Sequence, residues 1–245
     1  MPSTHTEWFS TWFDSPYYHL LYQDRNYAEA QAFISALLER LQPKPEARLL
    51  DLACGKGRHA IYLSQQGYHV TGIDLSPESI ASASEAEHSH LRFFVHDMRQ
   101  PLPGEFDVIF NLFTSFGYFK EEAENVVALR NATAALRPGG KMVIDFLNTE
   151  RTVRDLVATE TKEKGGTTFR IQRHLHHDFI VKDIWFQDET GQERHFQEWV
   201  RALSRERFEE YFRMAGLRLV EILGDYHLAP FEEATSPRMI FVLKK

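Results

Sequence analysis

The chain has 245 residues, of which 43% are hydrophobic, and a formal net charge of −7. That suits one domain, or one domain with an insertion, and the acidic balance disfavours nonspecific nucleic-acid binding. No run of about 18 apolar residues marks a membrane span, the opening MPSTHTEWFSTWFD lacks the basic and apolar regions of a secretory signal, and the single cysteine, Cys54, excludes an internal disulfide framework and fits a reducing cytoplasm.

Residues 8–22 carry seven aromatic rings: Trp8, Phe9, Trp12, Phe13, Tyr17, Tyr18 and Tyr22. They read as an N-terminal arm that packs its rings on the domain. Tyr27 to Leu41 read as an amphipathic helix, with Ala30, Phe33, Ile34, Leu37, Leu38 and Leu41 on one face. Pro43 and Pro45 end it. The stretch LLDLACGKGRHAIYLSQQGYHVTGID, from Leu49 to Asp74, follows. Leu49 and Leu50 close a short strand, Asp51 follows, and Ala53-Cys54-Gly55-Lys56-Gly57 form a small-residue turn. Arg58 to Gln66 are helical, with Ala60, Ile61 and Leu63 as apolar members. Gly67 stops that helix, and Tyr68 to Ile73 form a second strand ending at Asp74.

Strand, glycine turn, helix, strand and acid make a unit that binds an adenosine-bearing cofactor. Glycines let the backbone approach a ligand closely. The first helical turn presents unpaired N–H groups to a carboxylate or phosphate. An acid about 20 residues past the turn reaches both ribose hydroxyls. Two cofactors fit this much. Gly55-Lys56-Gly57-Arg58-His59-Ala60 matches the G-x-G-x-x-G/A of nicotinamide dinucleotide sites, and S-adenosylmethionine is the alternative.

Leu50-Asp51-Leu52-Ala53-Cys54-Gly55-Lys56-Gly57 resembles the first motif of class I S-adenosylmethionine-dependent methyltransferases: an acid, a small residue two positions on, then G-x-G. Ala53 stands where many members have glycine. The resemblance implies S-adenosyl-L-methionine as cofactor, held by Asp51, Ala53, Cys54, Gly55, Gly57 and Arg58 and by Asp74 with its neighbour Leu75. It also implies that the arm folds over the cofactor, with Tyr22 and Arg25 contacting the methionine carboxylate; the fixed donor fork of an arginine suits that task.

Ser76 and Pro77 open a helix running to about His88. Leu91 to Val95 form the third strand, closed by His96-Asp97-Met98. By the resemblance, Asp97 contacts the adenine amino group and Met98 flanks the ring. Phe106 to Leu112 form a buried fourth strand. It runs into Phe113-Thr114-Ser115-Phe116-Gly117-Tyr118-Phe119, which should border the reacting methyl group, since ligands bind beyond the carboxyl ends of such strands. Asn111 and Phe113 are cofactor neighbours on this reading, and Tyr118 lines the substrate pocket. The loop lacks the N-P-P-Y pattern of enzymes acting on exocyclic amines of bases. It resembles small-molecule methyltransferases, including sugar N-methyltransferases. Glu121 to Leu136 form a helix, and Arg137-Pro138-Gly139-Gly140 turn into the fifth strand, Lys141 to Leu147, a frequent methyltransferase feature.

From Gly165 to Arg201 apolar and polar residues alternate: Phe169, Ile171 and Leu175, then Phe179, Val181 and Trp185, then a run through Trp199. Three antiparallel strands are expected. His174, His176 and His177 read as exposed histidines at a hairpin turn, and no metal-ligand spacing supports a metal site. Ser204 caps a helix that buries Phe208, Tyr211, Phe212 and Ala215 and ends at Gly216. Leu217 to Ile222 and Met239 to Leu243 are the last strands.

The expected fold is α/β: a Rossmann-like seven-stranded, mostly parallel sheet, last strand antiparallel between the fifth and sixth, with a small antiparallel β insertion. A single domain over 1–245 is expected, with an arm (1–46), a cofactor-binding core (47–150), the insertion (165–201) and the rest of the core (204–245). The function implied is methyl transfer to a nitrogen or oxygen of a small-molecule acceptor by direct in-line displacement, in a cytoplasmic monomer or homodimer without a membrane partner. No catalytic residue is assigned. A neutral amine needs no base, and for an oxygen nucleophile Tyr18, His174 and Tyr118 are the candidates. A nicotinamide oxidoreductase would explain the glycine turn and Asp74 but not Asp51, Asp97 and the R-P-G-G turn together. A non-catalytic cofactor-binding module is the third reading.

Overall fold

The computed structural model describes residues 8–23 and 27–245. The arm forms two short helices, α1 (Trp8–Phe13) and α2 (Pro16–Leu21), before the long helix α3 (Tyr27–Leu41). The core alternates β1 (Arg48–Leu52), α4 (Arg58–Gln65), β2 (His69–Asp74), α5 (Pro77–Ser84), β3 (Leu91–Val95), β4 (Phe106–Asn111), α6 (Glu122–Ala135), β5 (Leu136–Leu147) and α7 (Thr149–Arg154). Strands β6 (Thr159–Lys164), β7 (Thr167–His176), β8 (Phe179–Gln187) and β9 (Glu193–Arg201) follow, then α8 (Arg205–Ala215), β10 (Arg218–Leu223) and β11 (Arg238–Lys244).

Seven strands form one sheet in the order β10-β11-β5-β4-β1-β2-β3, parallel except where β11 pairs antiparallel with both β5 and β10. Period-two alternation sends Leu50, Ile109, Ile144 and Phe241 to one face, against α6 and α8. It sends Leu49, Phe110, Val143 and Ile240 to the other, against α3, α4 and α5. α3 buries Ala30, Phe33, Ile34, Leu37 and Leu41 as the periodicity predicts, with Leu38 at the margin. Chain order reverses between β1 and β4, so the ends of these strands, at Leu52 and Asn111, frame the crevice where open α/β sheets bind ligands.

The second sheet has four strands, β6-β7-β8-β9, where three were expected. The additional strand, TETKEK, is polar on both sides and so carries no apolar alternation to read. It is an edge strand, and its charges suit that position. β5 begins five residues earlier than expected, because Leu136 pairs with Phe106 before Arg137–Gly140 loop out and pairing resumes at Lys141 with Val108. A Cβ on Gly140 would lie 2.9 Å from the Arg137 carbonyl, which is why glycine is needed there.

The arm packs its rings on one face of the second sheet: Trp12 and Leu21 join Phe169, Ile171, Ile184 and Phe186 in one cluster. It is also tied to the first sheet, since Asp14 accepts from Ser76 Oγ (2.5 Å) and from the Glu78 backbone N–H (3.2 Å) at the start of α5. Among the described residues no helix is long and apolar enough to cross a membrane.

Candidate cofactor and acceptor site

The turn after β1 holds three residues at positive φ: Ala53 (64°), Gly55 (54°) and Gly57 (77°). Ala53 thus stands in a conformation that favours glycine. Gly57 has a second reason to lack a side chain, for a Cβ there would lie 2.6 Å from the Phe93 ring. Two acids brace the turn, Asp51 buried and Asp74 half-buried. Asp51 Oδ2 accepts from the Ala60 N–H in the first turn of α4 (3.2 Å). Asp74 accepts from the Gly55 N–H (2.8 Å) and the Ser76 N–H (2.9 Å). Burial pushes the Asp51 carboxyl up to about 7, with the Ala60 N–H and Arg58 opposing, and burial raises Asp74 as well.

Above this turn lies a chamber of about 460 Å³. Ala53, Cys54, Gly55, Arg58 and Asp74 form its floor. A smaller lobe of about 70 Å³ shares Ala53 and Asp74 and is lined by Leu75, Asp97 and Met98. A Cβ on Gly55 would meet no protein atom within 4 Å, so the space over the turn is open to a ligand. Two lobes meeting at a ribose-type acid fit a cofactor with an adenosine end and an amino-acid end.

Not every expected residue reaches that space. Asp51 and Gly57 lie under the turn and line neither lobe. Asn111, expected as a cofactor neighbour, is fully buried and donates to the carbonyls of Leu52 (3.0 Å) and Ser115 (3.1 Å). It clamps the end of β1 to the loop after β4. Asp97 lines the smaller lobe, but Arg99 already grips it through Nε (3.0 and 2.9 Å), Nη2 (2.6 Å) and backbone N–H (2.8 Å). Burial alone would raise the Asp97 carboxyl; Arg99 holds it below its ordinary value. Tyr22 lines the chamber, yet its hydroxyl donates to Glu198 (2.7 and 2.9 Å) rather than standing open for a cofactor carboxylate. Arg25 lies outside the described residues.

The loop after β4 is held in a strained form. Phe113 and Thr114 sit at φ 58° and 60°, which non-glycine residues rarely adopt. Asp145, fully buried on β5, accepts from the Phe113 N–H (2.7 Å), and Arg238 on β11 donates to Asp145 (2.7 Å) and to Thr114 Oγ1 (2.9 Å). The Phe113 ring so placed stacks on His59 (5.0 Å, 17°) and carries the Arg58 guanidinium 4.2 Å above it. Tyr118 lines both lobes, and its hydroxyl donates to the Thr114 carbonyl.

Sequence reasoning did not single out His59 or Glu198. His59 lines the chamber with Nδ1 3.9 Å from Asp51 Oδ2; its place two residues past Gly57 was the available clue. Glu198 comes from β9 and lines the chamber beside the arm. It accepts from Trp12 Nε1 (2.7 Å) and Tyr22, and pairs with Lys182 at 3.4 Å. The histidines of the β7–β8 turn are exposed, and none lines the chamber. Among the described residues no group of three or more His, Cys, Asp or Glu is arranged to hold a metal ion.

This arrangement defines an α/β protein built to hold an adenosine-bearing cofactor beside a second, aromatic compartment. The methyltransferase domain family matches residues 49–140. A Geobacillus sp. (strain WCH70) protein, described only provisionally as a methyltransferase, is 28% identical over 98% of this chain and 99% of its own. The dTDP-3-amino-3,6-dideoxy-alpha-D-glucopyranose N,N-dimethyltransferase of Streptomyces fradiae is 29% identical over 82% of each chain. The fold is also that of an S-adenosylmethionine-dependent methyltransferase from Clostridium acetobutylicum ATCC 824, with a TM-score of 0.77, 19% identity and 93% and 95% of the two chains covered. Together these likenesses support a class I S-adenosylmethionine-dependent methyltransferase.

Proposed function

We propose that this chain works as one methyltransferase domain over residues 1–245, methylating a nitrogen of a small-molecule acceptor in the cytoplasm. The observation that carries the reading is the continuity of the chamber, which joins the glycine turn and Asp74 to the rings of the arm and to Glu198. Nitrogen is favoured because the Streptomyces fradiae relative, alike over most of both chains, is an N,N-dimethyltransferase.

When bound, S-adenosylmethionine supplies a methyl group on a sulfonium, open to direct in-line displacement. The chain's own residues do the rest. Asp74 accepts from the ribose hydroxyls, and Leu75, Asp97 and Met98 receive the adenine in the smaller lobe. Ala53, Cys54, Gly55 and Arg58 border the methionine end. Phe113 and Tyr118 border the reacting centre, and Trp8, Phe13 and Tyr18 of the arm exclude water from it. A neutral amine needs no protein base, which agrees with the Tyr118 hydroxyl being bonded to its own loop.

The test is calorimetric titration with S-adenosylhomocysteine, with NADH and NADPH as controls. Micromolar binding of S-adenosylhomocysteine alone is expected. Binding of a nicotinamide dinucleotide instead would overturn the reading.

A further inference from the structure

We propose that Glu198 selects the acceptor by accepting an N–H from an amino group on the molecule to be methylated; this rests on the methyl-transfer reading above. Among the described residues of the second sheet, only Glu198 and Val200 line the chamber. Glu198 is therefore the sheet's only polar side chain there. Its Oε1 accepts from Trp12 (2.7 Å) and Tyr22 (2.7 Å), and Oε2 faces Tyr22 (2.9 Å) and Lys182 (3.4 Å). A carboxylate has about four acceptor positions, and the 3.4 Å contact leaves Oε2 room for one stronger donor.

The charge state agrees with this role. Burial would raise the Glu198 carboxyl, but Lys182 and the Trp12 and Tyr22 donors hold it below its ordinary value, so it stays ionised. An ionised carboxylate on a nearly enclosed wall takes only donors and repels an anionic acceptor. Trp8, Phe13, Tyr18 and Tyr118 line the same chamber, and aromatic faces attract ammonium groups, so an amine is gathered there as its ammonium and gives one proton to water before its neutral form attacks. A hydroxyl would gain the hydrogen bond but not that attraction. The class of acceptor is thus a small molecule with a primary or secondary amine and no acidic group beside it.

The probe is sinefungin, a cofactor analogue in which a carbon replaces the sulfur and carries an amine in place of the methyl group, so that it offers N–H groups to the acceptor side of the chamber. Wild type is expected to bind it about tenfold more tightly than S-adenosylhomocysteine, the worth of one hydrogen bond to a charged group. Glu198→Gln is expected to bring the two affinities within about twofold while leaving S-adenosylhomocysteine binding within about threefold of wild type. An unchanged preference in Glu198→Gln, or equal weakening of both ligands, would reduce Glu198 to an anchor for the arm and overturn the proposal. Should Glu198→Gln not fold with Lys182 unpaired, the Lys182→Met/Glu198→Gln double variant removes both charges and is read the same way. Failure of wild type to bind S-adenosylhomocysteine would instead overturn the methyl-transfer reading, and this proposal with it.

Discussion

In each of the two sheets a carboxylate faces a cation near the chamber: Asp145 with Arg238 in the seven-stranded sheet, and Glu198 with Lys182 in the four-stranded one. Asp145 is sealed, and its partners include the Phe113 N–H, the Tyr226 hydroxyl and Arg238. Its work is finished inside the protein, where it fixes the strained turn at Phe113 and Thr114. Glu198 borders the chamber, and three of its contacts come from the arm. One pair shapes the cofactor side from beneath, while the other presents a charge to whatever enters.

The comparison breaks most sharply if the cations are removed one at a time. Arg238→Met leaves a sealed carboxylate without its partner, and urea denaturation is expected to show a loss of about 3–5 kcal/mol. Lys182→Met is expected to cost less, about 1–2 kcal/mol, because Glu198 keeps its Trp12 and Tyr22 donors and water in the chamber can reach it. Equal losses would mean that the two pairs are equivalent and that Glu198 is structural.

pH separates the regions in opposite senses. Asp51, pushed up to about 7 by burial, is protonated in both states below the unfolded value of about 4. Between there and pH 7 the unfolded chain gives up its proton first, so stability falls as pH rises. At about 1.4 kcal/mol per unit, Asp51→Asn should gain about 3 kcal/mol on wild type across that window. Glu198 is shifted the other way: its contribution is present above an unfolded value of about 4.3 and is lost as pH falls through its lower folded value. Any penalty of Glu198→Gln should therefore shrink below about pH 4. Denaturation curves at several pH values, on cofactor-free protein, read both.

The glycine turn with its acids and the loop from Phe113 to Phe119 were legible in the sequence, and the contacts of Glu198 were not. The turn from Asp51 to Gly57 and the acid at Asp74 are local: spacing along the chain fixes which atoms meet, as the Gly55–Asp74 bond shows. The Tyr22–Glu198 bond joins positions 176 residues apart, and no periodicity announces it. Strand β6 escaped because neither of its faces is apolar, and the clamp made by Asn111 was not legible because a buried amide and a ligand contact look alike in one dimension. Leu175 shows the converse failure. It continues the alternation of Phe169 and Ile171, yet it is 48% exposed, because a repeating pattern does not say where its covering ends.

Asp74→Ala tests the legible part directly. Loss of the ribose acceptor is expected to weaken S-adenosylhomocysteine about 100-fold, or about 2.7 kcal/mol, by calorimetry. Glu198→Gln should spare that affinity, since it acts on the other side of the chamber. Normal binding by Asp74→Ala would remove the basis for placing the ribose there.

The smallest effect discriminates between strain that serves a site and strain that merely closes a turn. Ala53 (φ 64°) lies in the cofactor turn, and His177 (φ 51°) lies in the β7–β8 hairpin. Replacing either with glycine removes the left-handed penalty, against the greater freedom of glycine in the unfolded chain. A net gain of about 0.5–1 kcal/mol, or roughly 2 °C in melting temperature, is expected for both. Only Ala53→Gly should also alter S-adenosylhomocysteine binding, by about two- to threefold weaker, because a looser turn must be ordered again around the ligand. Identical ligand affinity in Ala53→Gly would show that Asp51 and Asp74 hold the turn unaided, and that alanine at this position of the motif costs stability without serving the cofactor.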